Sequence, residues 1–349
     1  ILFAGNSGTA MRLIVGLLSA SPFPSGITGD DSLIKRPMGR IIKPLSLMGA
    51  DISSKNGDDL PPLFIQGKQL QGIKYEMPIS SAQVKSCLMI AALHSEGKSE
   101  IIQPSLSRDH TERMMSAMGG DVAQEGLKVI VNPSDLTSKD ISVPGDISSA
   151  AFWMVLGCIH PESKVKITNI GINSTRLGII DVLKSMSANL YLENEREVNN
   201  EPVADVIVES SDLTNIEISG DLVPRIIDEL PILALAACFA KGQTVVKDAS
   251  ELKFKESDRI LATVEGLSSL GADIIATDDG FIVNGGKKLT GGHCFSHGDH
   301  RIAMTMAIAG IMSEGTTTIT GAEAVDVSYP MFWDTLKILC GSLDLRKNE

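Results

Sequence analysis

Apolar residues in this chain fall into long blocks separated by short alternating stretches. Five blocks read as helices that are apolar nearly all the way round: Thr9–Ser19, Ser81–Glu96, Ser148–Ile159, Asp228–Lys241 and His300–Ser313. A helix of that kind belongs inside a protein rather than on its surface. A short β-branched strand follows each block, clearest at Thr244-Val245-Val246 and Thr316-Thr317-Thr318-Ile319. A second, amphipathic helix comes next, and alternating segments such as Asp273–Thr277 and Gly280–Asn284 close the pattern as strands.

The pattern is a repeat. An apolar Leu or Met, two small residues, a small polar residue and an aliphatic residue recur at Met48-Gly49-Ala50-Asp51-Ile52, Met118-Gly119-Gly120-Asp121-Val122 and Met186-Ser187-Ala188-Asn189-Leu190. They return at Leu270-Gly271-Ala272-Asp273-Ile274 and Leu339-Cys340-Gly341-Ser342-Leu343. Measured between the second small residues, the spacings are 70, 68, 84 and 69. Such units exceed the roughly 20 to 50 residues of solenoid repeats. The reading is α/β: five βαβαββ modules packed around buried helices, each second helix ending at the small pair, where a left-handed cap is easily made.

Composition narrows the function. With 31 basic and 43 acidic residues among 349, the formal charge is −12, the wrong sign for a nucleic-acid binder. Fourteen aromatics are too few for base-stacking platforms. The longest apolar run, Leu230–Ala240, contains Pro231 and stops at Lys241, so no membrane span is expected. The five cysteines, Cys87, Cys158, Cys238, Cys294 and Cys340, are scattered through apolar stretches, which fits buried thiols in a reducing, cytoplasmic setting.

Polar chemistry concentrates at helix starts. First helices open on Asn6-Ser7-Gly8-Thr9, Ser80-Ser81-Ala82-Gln83, Asp146-Ile147-Ser148-Ser149, Asp228-Glu229 and Asp299-His300-Arg301. These residues suit anion binding by helix N-termini, or plain N-capping. Second helices are expected to open on an arginine, at Arg36, Arg108, Arg176 and Arg259, 12 to 14 residues before the small pair. The macrodipole disfavours a cation there, so the recurrence points to guanidinium forks that grip a small anionic ligand. Arg176, without a basic companion in the sequence, reads instead as a structural ion pair. Glu251-Leu252-Lys253-Phe254-Lys255-Glu256-Ser257-Asp258-Arg259 packs three acids and three bases into nine residues, either a solvated run or a tunable acid and base. His293, Cys294, His297, Asp299 and His300 lack the cysteine pair of a structural zinc site.

Gly5–Arg12, Lys35-Arg36-Pro37-Met38-Gly39, Ser81-Ala82-Gln83-Val84-Lys85-Ser86 and Ser107-Arg108-Asp109-His110-Thr111-Glu112 resemble the EPSP synthase family. So do Pro144-Gly145-Asp146-Ile147-Ser148-Ser149-Ala150, Lys255-Glu256-Ser257-Asp258-Arg259 and Asp299-His300-Arg301, seven motifs in family order, with the third and fourth in the form of its class II branch. The resemblance implies a two-domain inside-out α/β prism of six βαβαββ repeats with the active site between the domains. Five repeats here then correspond to a first domain over 1–143, lacking its first repeat of about 80 residues, and a complete second domain over 144–349. It implies enolpyruvyl transfer from phosphoenolpyruvate to the 5-hydroxyl of shikimate 3-phosphate, by a monomer that needs no metal or organic cofactor and is a target of glyphosate. Asp228, Lys255 and Glu256 match the proton-handling residues. Arg36, Gln83, Arg259, Arg301 and the Gly8 backbone match the phosphoenolpyruvate clamp, Ser81, Ala82 and Arg108 match the phosphoshikimate side, and Asn6, Thr9 and His300 count as further substrate-binding residues. The competing expectations are the sister transferase acting on UDP-N-acetylglucosamine, which uses a mobile-loop cysteine, and a prism-repeat scaffold without catalysis.

Overall fold

Every predicted apolar block contains a helix in the computed structural model, which describes residues 1–341. The helices are α1 (Gly8–Ser19), α2 (Gly39–Leu47), α3 (Ala82–Ala92), α4 (His110–Ala117), α5 (Ile147–Ile159), α6 (Gly178–Ser185), α7 (Val223–Ile226), α8 (Leu230–Cys238), α9 (Arg259–Ser269), α10 (His300–Ile311) and α11 (Phe332–Cys340). The block expected over Asp228–Lys241 starts later, at Leu230. Ile227, Asp228 and Glu229 form a turn between α7 and α8, and Pro231 sits in the first turn of α8, where its missing N–H leaves no bond unmade.

Contacts divide the chain into two units: Ile1–Ser142 with Val198–Glu201, and Val143–Glu197 with the chain from Pro202 onward. Each has its own core. In the first unit α1 and α3 are buried together with strand residues Ile27, Leu63, Ile65, Ile101, Val129 and Val131. In the second, α5, α8 and α10 form the interior, all three largely buried around their circumference. Helices within and sheets around them make each unit an α/β prism.

The sheets repeat one wiring. In the first unit, Leu2–Phe3 pairs in parallel with Pro24–Thr28, and Leu63–Gln66 lies antiparallel between Pro24–Thr28 and Asp51–Ser54. Lys74–Glu76, Ser99–Ile102, Lys128–Val131 and Val122–Glu125 follow in the same order. In the second unit, Glu217–Ile218, Gln243–Val246, Phe281–Asn284 and Asp273–Ala276 do so again. The third repeat keeps Lys164–Gly171, Glu201–Glu209 and Asn189–Val198, its opening strand reduced to a parallel bridge from Gly145 to Ile170. The fifth shows the parallel pair His293–Phe295 and Thr318–Thr320. Ser342 and Leu343, the end of its sequence signature, lie outside the described residues.

The small-residue pair does the work expected of it. Gly49, Gly119, Ser187 and Gly271 follow helices α2, α4, α6 and α9 with φ of +94°, +84°, +68° and +86°, the left-handed turn that lets the chain leave the helix for the next strand. In the fifth copy α11 runs two residues further, through Cys340, and the positive-φ residue moves by one, to Gly341, φ +58°.

One expectation needs correction. Arg36, Arg108 and Arg176 do not open the second helices: they precede α2, α4 and α6 by three, two and two residues, and Arg259 alone is a helical first residue. The macrodipole argument therefore applies to Arg259 only; the other three ride on connecting segments.

Candidate active site

In the second unit the charged segment before α9 is solvated only in part: Glu251, Lys253, Phe254 and Glu256 are exposed, while Arg259 is buried. Asp258 caps α9 by accepting from the N–H groups of Ile260 and Leu261 at 3.1 and 3.2 Å. That turn directs Arg259 inward, where it is 1% exposed. Its Nη1 donates to Asp228 Oδ1 at 3.1 Å and its Nη2 to Glu256 Oε2 at 2.7 Å. Nε and Nη2 donate to the two oxygens of Asp299 at 2.8 and 3.3 Å. Lys255 Nζ lies 3.6 Å from the same Asp228 oxygen. The three residues expected to handle protons, Asp228, Lys255 and Glu256, are thus gathered around one guanidinium.

The electrostatics follow from this packing. Burial alone would lower the affinity of Arg259 for its proton, but Asp299, Glu256 and Asp228 outweigh it and hold the group above its ordinary value. Asp299 shows the converse: burial pushes its carboxyl up, and the charge and hydrogen bonds of Arg259, with the Arg301 N–H, bring it down overall. His300 opens α10; burial, then Arg301, lower its basicity, so it is neutral near pH 7.

Next to this hub is a second buried carboxylate, Glu229. Ser148 Oγ donates to it, Arg176 Nη2 lies 3.9 Å away and Arg301 Nη1 4.0 Å. Arg301 also donates to the Asp228 carbonyl at 3.2 Å. Arg176 bonds Ser148 Oγ and reaches Asp146 Oδ1 at 3.3 Å, the ion pair expected of it. The expectation that it has no basic companion fails, because the fold brings Arg301 to the same carboxylate.

The first unit carries the second constellation, at the starts of α1 and α3. Ser7 caps α1 by accepting from the Ala10 N–H at 3.1 Å. Asn6 donates to Asp30 Oδ2 at 2.7 Å and accepts from Arg36 Nη2 at 3.1 Å, so it fixes that guanidinium. Gln83 donates to Thr9 Oγ1 at 2.7 Å and accepts from Arg12 Nη1, which joins α3 to α1. A methyl group on Gly8 would sit 3.3 Å from Arg12 Nη1 and 3.7 Å from Arg36 Nη1. Arg12 is nearly buried, and burial, then Arg40 and Arg36, lower it to about 10. Three guanidiniums close enough to repel one another mark a place where an anion is favoured. Ser81 caps α3, accepting from the Val84 N–H at 3.4 Å, with Ala82 as the first helical residue and Arg108 half-buried before α4.

Sequence reasoning named Glu229 and Asp299 at helix starts and Arg12 within a motif, but gave none of the three a role of its own. The available signal was a charged residue next to a helix start: Arg12 four residues after Gly8 in an apolar helix, Glu229 beside Asp228, and Asp299 ahead of His300-Arg301. The histidine and cysteine cluster disperses into other bonds. His293 Nε2 pairs with Thr320 Oγ1 at 2.8 Å and Cys294 Sγ with Ser269 Oγ at 3.3 Å, and no metal-holding group of three occurs among the described residues. Cys87 lies buried in α3, its thiol pushed by burial up to about 12, so it is no accessible acid. No helix among the described residues is long and apolar enough to cross a membrane.

Comparison with known proteins gives the same direction. The family model described as EPSP synthase (3-phosphoshikimate 1-carboxyvinyltransferase) matches residues 1–336. A 3-phosphoshikimate 1-carboxyvinyltransferase from Brevibacillus brevis is 52% identical over 336 residues, which is 96% of this chain and 79% of the relative. One from Syntrophomonas wolfei is 49% identical over 341 residues, 97% of this chain and 80% of the relative. The solved structure of EPSP synthase from Acinetobacter baumannii superposes with a TM-score of 0.89 at 46% identity, covering 97% of this chain and 78% of that one. The enolpyruvyl transferase NikO from Streptomyces tendae shares the fold, with a TM-score of 0.74 at 16% identity over 94% of this chain and 75% of that one. The chain belongs to the EPSP synthase family of enzymes, the 3-phosphoshikimate 1-carboxyvinyltransferases.

Proposed function

We propose that the chain carries the residues that transfer the enolpyruvyl group of phosphoenolpyruvate to the 5-hydroxyl of shikimate 3-phosphate. The observation that bears most on this is Arg259, which holds Asp228 and Glu256 on separate nitrogens of one buried guanidinium. Addition followed by elimination needs two proton-transferring groups at fixed separation, and a rigid fork supplies that.

In the proposed sequence Glu256 gives a proton to the vinyl CH₂, which becomes CH₃ and leaves cationic character on the adjacent carbon. The 5-hydroxyl oxygen bonds to that carbon as its proton passes to Asp228, whose carboxylate lies 3.6 Å from Lys255 Nζ. The tetrahedral adduct then breaks its carbon–oxygen bond to phosphate. The methyl group returns a proton to Glu256 as the double bond re-forms, and the departing phosphate takes up the proton held by Asp228, so both carboxyl groups end the cycle as they began it. Four of the five Arg259 N–H groups are engaged by carboxylates. The fifth, on Nη1, is assigned to phosphoenolpyruvate, together with Arg301, His300, Arg36, Gln83 and the backbone of Gly8. Asn6 and Thr9 act here by fixing Arg36 and Gln83. Ser81, Ala82 and Arg108 are assigned to the phosphoshikimate, in a cytoplasmic monomer.

The test is phosphate release from phosphoenolpyruvate with and without shikimate 3-phosphate. Asp228→Asn and Glu256→Gln should each lower kcat by about 10²-fold or more. Release that proceeds without shikimate 3-phosphate, that requires UDP-N-acetylglucosamine in its place, or that survives both substitutions would refute the assignment.

A further inference from the structure

Two of the motifs contain residues that the proposed chemistry leaves unused: Lys85 and Ser86 in α3, and Thr111 and Glu112 in α4. The fold brings them together. Lys85 is completely buried in a helix whose other inner positions are Val84, Cys87, Leu88 and Met89. Its Nζ lies 2.6 Å from Oε1 of Glu112, itself 7% exposed. Neither carboxylate oxygen receives a well-directed hydrogen bond, so the contact is chiefly Coulombic. Ser86 Oγ and Thr111 Oγ1 are 2.6 Å apart alongside it.

A buried pair of this kind is a poor stabiliser, since an apolar pair of the same volume commonly holds a core at least as well. What it holds is more telling. Lys85 Nζ reaches the carbonyl oxygen of Ser107 at 3.4 Å, and that carbonyl belongs to the peptide unit joining Ser107 to Arg108. The other side of Ser107 is tied to Gln103 Oε1, which accepts from its N–H at 3.1 Å and from its hydroxyl at 2.7 Å. Ser80, next to the cap residue Ser81, donates to the Ser105 carbonyl at 2.6 Å and accepts from the Ser105 N–H at 2.9 Å. Ser81 and Lys85 are four residues apart on one side of the clamp, Arg108 and Glu112 on the other.

We propose that Lys85 and Glu112 are positioning residues that set Arg108 against Ser81 and so determine the affinity for the phosphate of the acceptor. The inference rests on the assignment of Ser81 and Arg108 to the phosphoshikimate. The Lys85–Glu112 attraction anchors α4 to α3, Lys85 fixes the peptide preceding Arg108, and the Ser86–Thr111 contact keeps the two helix starts in register. Small displacements of a charged fork weaken bidentate phosphate binding steeply, because both its hydrogen bonds depend on direction.

Calorimetric titration of the whole chain with shikimate 3-phosphate and with unphosphorylated shikimate tests this. The apolar double variant Lys85→Met/Glu112→Leu should raise Kd for shikimate 3-phosphate about 10-fold and that for shikimate less than twofold. A purely structural pair would leave the ratio of the two affinities unchanged, whichever way the apolar replacement moves the melting temperature. Glu112→Gln, which keeps an acceptor for Lys85, should recover most of the affinity. If the double variant does not fold, Ser86→Ala/Thr111→Val carries the test, with a loss of about threefold confined to the phosphorylated ligand. Equal weakening of both ligands, or none, in a folded variant overturns the proposal. Arg108→Ala separates the two levels: if it leaves the affinity for shikimate 3-phosphate unchanged, the assignment of Arg108 is what fails.

Discussion

At the scale of single residues, the second unit is organised by charges that water barely reaches. Asp299 has no exposed surface, caps α10 by accepting from the Arg301 N–H at 2.9 Å, and takes two hydrogen bonds from Arg259. Removing its charge leaves the buried Arg259 held by Asp228 and Glu256 alone. Asp299→Asn should therefore destabilise the chain by about 3–5 kcal/mol, the range for a broken buried pair, read from the urea midpoint. The pH dependence has a definite sign. The folded carboxyl lies below its ordinary value of 3.8. Its stabilisation is complete above that value and is lost as pH falls through the lower folded one. His300, also lowered from 6.5, adds a second loss that begins below pH 6.5, because the unfolded chain takes up that proton first. Urea midpoints between pH 3 and 8 should fall on acidification, and Asp299→Asn should flatten the acid limb while lowering the His300 pKa further, since the Asp299 charge raises it.

At the scale of elements, the repeat was legible because small residues punctuate it, whereas the site was legible only in part. Gly49, Gly119 and Gly271 announce helix ends that only a left-handed residue can make, so their spacing exposes the modules. The one irregular spacing, 84, has a visible cause: the hairpin strands Asn189–Val198 and Glu201–Glu209 run to ten and nine residues, where their counterparts in other repeats have four. Asp228, Lys255 and Glu256 could be named in advance, but not that Arg259 would gather them. Nor could a charged residue in an apolar helix, such as Arg12 or Lys85, be paired with Gln83 or Glu112 without the packing. Glycine inside α1 shows how close that packing is. A methyl on Gly16 would lie 2.3 Å from the carbonyl oxygen of Cys87 in α3, and backbone cannot yield as a side chain can. Gly16→Ala should lower stability by more than about 2 kcal/mol despite the better helix propensity of alanine. A midpoint within 0.5 kcal/mol (an order-of-magnitude threshold for an innocuous change) would show that α1 and α3 can separate freely.

At the scale of the whole molecule, two facts bear on how it unfolds: each unit has a core of its own, and the cores differ in size. Domains with separate cores need not melt as one, and two-state behaviour is then not expected. The second unit, whose three interior helices are buried nearly all round, removes far more apolar surface from water and should be the more resistant. Urea denaturation should accordingly show two steps. The two substitutions argued above then become labels: Gly16→Ala, in the first core, should move the earlier step to lower urea and leave the later one in place, and Asp299→Asn should do the reverse. Shikimate 3-phosphate, assigned to Ser81 and Arg108, should raise the earlier step by binding the folded first unit, in proportion to the logarithm of its concentration over Kd. A single sharp step shifted by both substitutions would mean instead that the cores melt together, and that the two constellations share one cooperative unit.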